Sequence, residues 1–101
     1  MEGTRKFFYS TGKIYIDGTR EYGYDNGVKK LYYPNGTLSK EENYVLGNLH
    51  GITKSYYPNG KLESEQNYYN GDLHGVSKFY DQQGKLKQTR TYYYDILLSV
   101  Q

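Results

Sequence analysis

The sequence predicts an all-β repeat fold, with four 24-residue β-hairpin units in one antiparallel sheet of about eight strands. Three observations predict it. Glycine recurs at an unbroken step of 24, as Gly3, Gly27, Gly51, Gly75 and again as Gly12, Gly36, Gly60, Gly84. Lys6, Lys30, Lys54 and Lys78 keep the same step, as do the columns Phe8, Tyr32, Tyr56, Tyr80 and Ile14, Leu38, Leu62, Leu86. A period between 20 and 50 residues is the mark of stacked supersecondary units. Finally, only 36% of the 101 residues are hydrophobic and 15 are tyrosine. A conventional two-layer core is poorly supplied, although an aromatic content of 18% argues against disorder.

Each unit reads as strand, tight turn, strand, and the boundaries fall at 3–26, 27–50, 51–74 and 75–101. The middle units carry Tyr33-Pro34-Asn35-Gly36 and Tyr57-Pro58-Asn59-Gly60. Two turns compete there: a two-residue Asn-Gly turn, or a three-residue loop built on a type I turn with glycine left-handed. Face parity favours the three-residue loop, because it sets Tyr32 opposite Leu38 and Tyr33 opposite Thr37. Gly12, Gly36, Gly60 and Gly84 are then the structural turn positions. Alternation defines an apolar even face (Val28, Tyr32, Leu38, Tyr44 in the second unit) and a more polar odd face (Lys29, Tyr33, Thr37, Glu41). The even columns, Tyr32, Leu38, Tyr56, Leu62, Tyr80 and Leu86, are expected to hold the fold together. Gly47 to Gly51 and Gly71 to Gly75 are read as connections between hairpins.

Several function classes are excluded or disfavoured. The chain has no cysteine, so no disulfide and no thiolate ligand or nucleophile. A net charge of +2 with interspersed signs disfavours a nucleic-acid partner. No apolar run reaches the length of a membrane span, and the Met1–Phe8 stretch lacks the apolar segment of a signal peptide, which points to the cytoplasm. No Ser-His-Asp set, P-loop or dinucleotide fingerprint is present, and no cofactor is expected. Glu41 and Glu65 recur two strands apart because the unit recurs. Nothing separates their environments as acid–base chemistry requires. His50 and His74, also two strands apart, cannot share a zinc ion, so neither a metal site nor a catalytic residue is expected.

Tyr56-Tyr57-Pro58-Asn59-Gly60-Lys61-Leu62, followed by Tyr68-Tyr69-Asn70-Gly71-Asp72-Leu73-His74-Gly75, resembles the MORN repeat. It is most similar to the bacterial MORN-variant repeat of the YwqK-family antitoxins. The resemblance covers residues 3–99 and is strongest over 27–95. It implies an elongated, mostly single-layer sheet, curved into a groove, and a role in binding rather than catalysis. The first unit departs at Gly18 and Arg20, and the fourth ends in Asp95-Ile96-Leu97-Leu98-Ser99-Val100. Terminal units are expected to differ because they cap the array.

On these grounds the chain is expected to be a non-enzymatic protein-binding module. A stoichiometric inhibitor is the leading form, directed at a cognate toxin or, in a phage setting, a host defence nuclease. Tyr9, Tyr33 and Tyr57, on the odd face, are the partner-binding candidates, since exposed aromatic residues anchor interfaces. Lys6, Lys30, Lys54 and Lys78 are the candidate ladder for an anionic ligand, which makes a peripheral membrane binder the alternative. A bacterial surface glycan-binding repeat is the third reading. The apolar tail, Ile96 to Val100, is expected to cap the array, to join two copies as a homodimer, or to insert into the target.

Overall fold

A computed structural model describes residues 3–101, with Thr4 and Arg5 described by backbone alone. All of its regular structure is β. The strands are β1 (Gly3–Phe8), β2 (Ile14–Glu21), β3 (Tyr24–Asp25), β4 (Gly27–Tyr32), β5 (Leu38–Val45), β6 (Asn48–Leu49), β7 (Gly51–Tyr56), β8 (Leu62–Tyr69), β9 (Asp72–Leu73), β10 (Gly75–Tyr80), β11 (Leu86–Tyr93) and β12 (Ile96–Val100). They form one open antiparallel sheet in the order β1-β2-β4-β5-β7-β8-β10-β11-β12, with β3, β6 and β9 beside β2, β5 and β8. The trace measures 40 × 33 × 13 Å. Nine strands spaced at about 4.8 Å span about 38 Å, so the long axis runs across the strands.

The Pro-Asn-Gly loops have three residues. Tyr57 N–H donates to Lys61 O at 2.8 Å and Gly60 N–H to Tyr57 O at 2.9 Å, with Gly60 at φ 90°. Asn59 Oδ1 takes the Lys61 N–H, which fixes the loop from inside. Tyr56 therefore faces Leu62, and Tyr32 faces Leu38.

The strand count departs from expectation: twelve rather than eight. The chain does not simply cross from one hairpin to the next. It reverses through two-residue turns at Tyr22-Gly23, Leu46-Gly47, Asn70-Gly71 and Tyr94-Asp95, whose eight residues all have positive φ. That is the type I′ geometry, whose twist matches the flanking strands. The turns create the short return strands β3, β6 and β9, and the longer β12.

The expected faces also need correction. Each long hairpin carries a bulge next to its loop: Leu31 pairs with Lys40 but Tyr32 with Leu38, leaving Ser39 extra. One extra residue inverts the parity beyond it. Tyr44 consequently lies opposite Gly27 and shares a face with Lys29 and Leu31, whereas Glu41 lies opposite Lys30. The even face is thus broken within each unit.

The expected apolar core is absent as well. Among the described residues no hydrophobic side chain is fully buried, and Leu86 is 55% exposed. The buried side chains are small and polar: Thr53 (4% exposed), Ser64 (6%) and Ser77 (1%). A single layer has no second layer to pack on, so only side chains short enough to be roofed by their neighbours leave water. Arg90 stands opposite Ser77 and lays its guanidinium over the Phe79 ring at 5.1 Å.

Units are joined sparingly in the middle and firmly at both ends. The ladder between units is two pairs deep, as in Lys40–Ser55 and Glu41–Lys54. Beyond it, Asn43 Nδ2 donates to Ile52 O at 2.8 Å and Asn67 Nδ2 to Val76 O at 2.7 Å. At the type I′ end, Gly47, Gly71 and Asp95 donate their N–H groups to Asp25, Leu49 and Leu73 carbonyls of the preceding unit, each at 2.7 Å. The tail folds back through the Tyr94-Asp95 turn and covers the open edge of β11: β12 pairs with β11 and becomes the edge strand itself, leaving Ile96, Leu97, Leu98 and Val100 48–62% exposed.

Candidate binding surface

Tyr9, Tyr33 and Tyr57 are half-buried. Each hydroxyl crosses to the next unit and donates to a backbone carbonyl: Tyr9 to Tyr32 O (2.7 Å), Tyr33 to Tyr56 O (2.5 Å), Tyr57 to Tyr80 O (2.7 Å). These rings tie units together at the loop end of the sheet. That connecting role is what the geometry gives them.

The lysine column is not an uninterrupted cationic ladder. Register places Asp17 opposite both Lys6 and Lys30, Glu41 opposite both Lys30 and Lys54, and Glu65 opposite both Lys54 and Lys78. The row alternates in sign across seven strands, which favours pairing by cross-strand attraction. Its summed field is small. Glu65 also accepts the Tyr80 hydroxyl at 3.1 Å, and burial followed by that bond raises the Tyr80 phenol pKa.

On the opposite face, Tyr44 and Tyr68 lie over Gly27 and Gly51. Tyr44 donates to Glu42 Oε1 at 3.1 Å, with Lys29 Nζ 5.6 Å from its ring centre. Burial first, and the Glu42 carboxylate second, push its phenol up to about 12.

The surface that sequence reasoning missed is the rim where the type I′ turns gather. His50 N–H bonds Asn43 O, and its Nδ1 accepts the Asn70 N–H at 3.4 Å; His74 Nδ1 accepts the Tyr94 N–H at 3.2 Å. In the first unit Asn26 fills this position, its Oδ1 accepting the Leu46 N–H at 3.0 Å. With their rings set, the histidines become links in an aromatic chain. Centroids lie 5.1 Å apart for His50–Tyr69, 6.2 Å for Tyr69–His74, 5.2 Å for His74–Tyr93 and 4.8 Å for Tyr93–Tyr94. Five rings from three units thus run across the strands. Tyr69, Tyr93 and Tyr94 remain 47%, 55% and 45% exposed, and Val45 and Leu46 extend the strip at 49% and 48%. The available sequence signal was the glycine column Gly23, Gly47, Gly71 at a step of 24, which gives way to Asp95 in the fourth unit.

The rim is also acidic. Residues 21–26, 45–50, 69–74 and 93–98 include Glu21, Asp25, Asp72 and Asp95 but no lysine or arginine. Asp25 is paired with Lys29 at 3.3 Å. Asp95 Oδ1 accepts the Leu73 N–H at 2.7 Å, and its hydrogen bond to Asp72 raises the Asp72 pKa. Among the described residues no three His, Cys, Asp or Glu side chains come together as metal ligands would.

The family model of the MORN repeat variant matches four times, over residues 1–22, 25–45, 49–70 and 73–92. The chain belongs to the MORN repeat variant family. Each match contains a long hairpin. The four type I′ turns at 22–23, 46–47, 70–71 and 94–95 fall outside the matched segments or at their ends, so the rim is where one MORN unit hands over to the next. Among solved structures, the chain is similar to part of the crystal structure of accessory secretory proteins 1, 2 and 3 in Streptococcus pneumoniae. The identity is 11% and the TM-score 0.52, over 87% of this chain and 17% of that one. That likeness concerns the fold alone, and the chain spans under a fifth of the matched protein's length. The comparison with curated proteins gave no match.

Proposed function

We propose that this MORN chain is a non-enzymatic module that docks a protein partner along the rim and acts by occupying it, as a stoichiometric inhibitor of the antitoxin kind does. The observation that carries the reading is the five-ring strip from His50 to Tyr94, whose half-buried histidines are held by unit-to-unit hydrogen bonds while Tyr69, Tyr93 and Tyr94 stay exposed to solvent. Rigid aromatic side chains supply contact area at small entropic cost, which is how interfaces gain their anchors. The acid between every two lysines of the Lys6–Lys78 column weighs against an anionic membrane as the ligand. Affinity capture with the full chain, followed by reconstitution with the purified captured protein, tests the reading. Light scattering should give a 1:1 complex that the double variant Tyr69→Ser, Tyr93→Ser fails to form. Sedimentation with phosphatidylserine vesicles, lost on Lys30→Gln and Lys54→Gln, would overturn it in favour of lipid binding.

A further inference from the structure

Resting on that reading, the geometry of the rim points to a narrower class of partner. We propose that the ring strip takes a basic, proline-rich segment in the polyproline II conformation, laid across the strands. Three features support this.

The first is spacing. Equivalent side chains, such as Tyr69 and Tyr93 or His50 and His74, lie two strands apart, and the turn-to-turn bonds at 2.7 Å hold the units at that step along the rim. Two strand spacings are about 9.6 Å. A polyproline II helix rises about 3.1 Å per residue with three residues per turn, and so presents the same side every 9.3 Å or so. An extended β-segment repeats at about 6.7 Å and drifts out of step within one unit. A ligand in polyproline II form keeps register with successive rings over the whole strip.

The second is ring chemistry. Tyr69, His74 and Tyr93 lie in contact, with centroids 5.2–6.2 Å apart, and the outward faces and edges of the two tyrosines stay exposed, a surface on which pyrrolidine rings pack. Aromatic-lined grooves suit such segments because the ligand is stiff before it binds and loses little entropy. Third, charge complements the ligand. Along the strip itself, residues 45–50, 69–74 and 93–98 hold Asp72 and Asp95 and no lysine or arginine, so it favours arginine or lysine at the positions that turn away from the rings. A guanidinium above an exposed tyrosine face gains further attraction.

The test uses the full chain and fluorescence anisotropy with a labelled synthetic peptide, (Pro-Pro-Arg)4. Saturable binding is expected, weakened at least tenfold by Tyr69→Ser with Tyr93→Ser. It should be unchanged by Phe8→Ser, an exposed ring on β1. Circular dichroism melts of each variant separate loss of binding from loss of fold. The peptide (Gly-Gly-Arg)4, with the same charge but no polyproline II preference, should bind at least tenfold more weakly. Equal binding of the two peptides, or binding indifferent to the rim substitutions, overturns the proposal. Stronger rim-dependent binding of a soluble oligosaccharide overturns it as well. If the peptide fails to bind while the rim variants still lose the captured protein, the polyproline inference falls and the docking surface stands.

Discussion

The hydroxyl of Tyr57 donates to the backbone carbonyl of Tyr80, 2.7 Å away and one unit further along the sheet. With no apolar side chain fully buried among the described residues, bonds of this kind carry a large share of the cohesion between units. Tyr57→Phe keeps the ring and removes the donor, leaving a carbonyl without its partner. The expected loss is about 1 kcal/mol in a urea melt.

Leu62→Ala is expected to cost less than the roughly 2–5 kcal/mol of a fully buried leucine, because Leu62 is only half-buried. Tyr57→Ala, which removes both ring and hydroxyl, should cost more than Leu62→Ala. The reverse order in matched denaturant melts would show that the leucine column is the true core.

His74→Asn should be nearly neutral, since Asn26 makes the equivalent bond in the first unit. His74→Phe keeps a ring in the strip but loses the acceptor for Tyr94 N–H. A cost of about 1 kcal/mol is expected from the unpaired amide. Amide exchange at Tyr94 should quicken in the Phe variant alone.

Leu46 sits at φ 45° as the first residue of its type I′ turn. Left-handed backbone costs an L-residue about 1–2 kcal/mol, and asparagine tolerates it better. Asn70 already fills this position one unit later, so Leu46→Asn should stabilise the sheet by up to about 1 kcal/mol. Thermal melts check this.

Among the shifted groups, Tyr44 and Asp72 give the stability a pH dependence at opposite ends of the scale. The Tyr44 phenol is raised to about 12, chiefly by burial and then by Glu42. Its neutral form is the one the fold prefers, so this contribution is whole below the ordinary phenol value of 10.0 and is lost as pH rises from there towards 12. Ultraviolet titration should show a late-ionising tyrosine that Glu42→Gln brings down.

Asp72 is raised by its hydrogen bond to Asp95. Its folded form holds a proton more tightly than the unfolded chain, so the fold gains stability as pH falls through the raised value. The penalty is full at neutral pH. Asp72→Asn, matching Asn48 one unit earlier, should raise the melting temperature at pH 7 and flatten that acid-side dependence.

The repeat, the antiparallel sheet and the three-residue loops were legible in the sequence because each rests on residues with strong local preferences: Pro34, Asn35 and Gly36, repeated at Pro58, Asn59 and Gly60. The bulge at Ser39, with its counterparts Tyr15, Glu63 and Lys87, was not. Four chemically unlike residues occupy it, so no side-chain type marks it, yet it decides which face Tyr44 joins. The rim escaped for a related reason. Tyr22, Leu46 and Tyr94 are poor advertisements for a positive φ, and only Asn70-Gly71 spells the turn in ordinary terms. The binding candidates chosen from sequence, Tyr9, Tyr33 and Tyr57, prove to make contacts that only three-dimensional neighbours reveal, 23 residues away.

The tyrosine column that reaches forward from each unit breaks off at Asp81. Its carboxylate turns back into its own loop, accepting the Gln83 and Lys85 N–H groups at 2.9 and 3.0 Å. The array therefore has a polarity and a stop signal. A further unit approaching this end, from the same chain or from another copy, meets an anion facing away from it where each earlier junction supplied a phenol. Head-to-tail contacts that do not close on themselves grow into open filaments. A sheet made of near-identical units is unusually exposed to that fate, and one aspartate withdraws the hydroxyl on which such growth would depend.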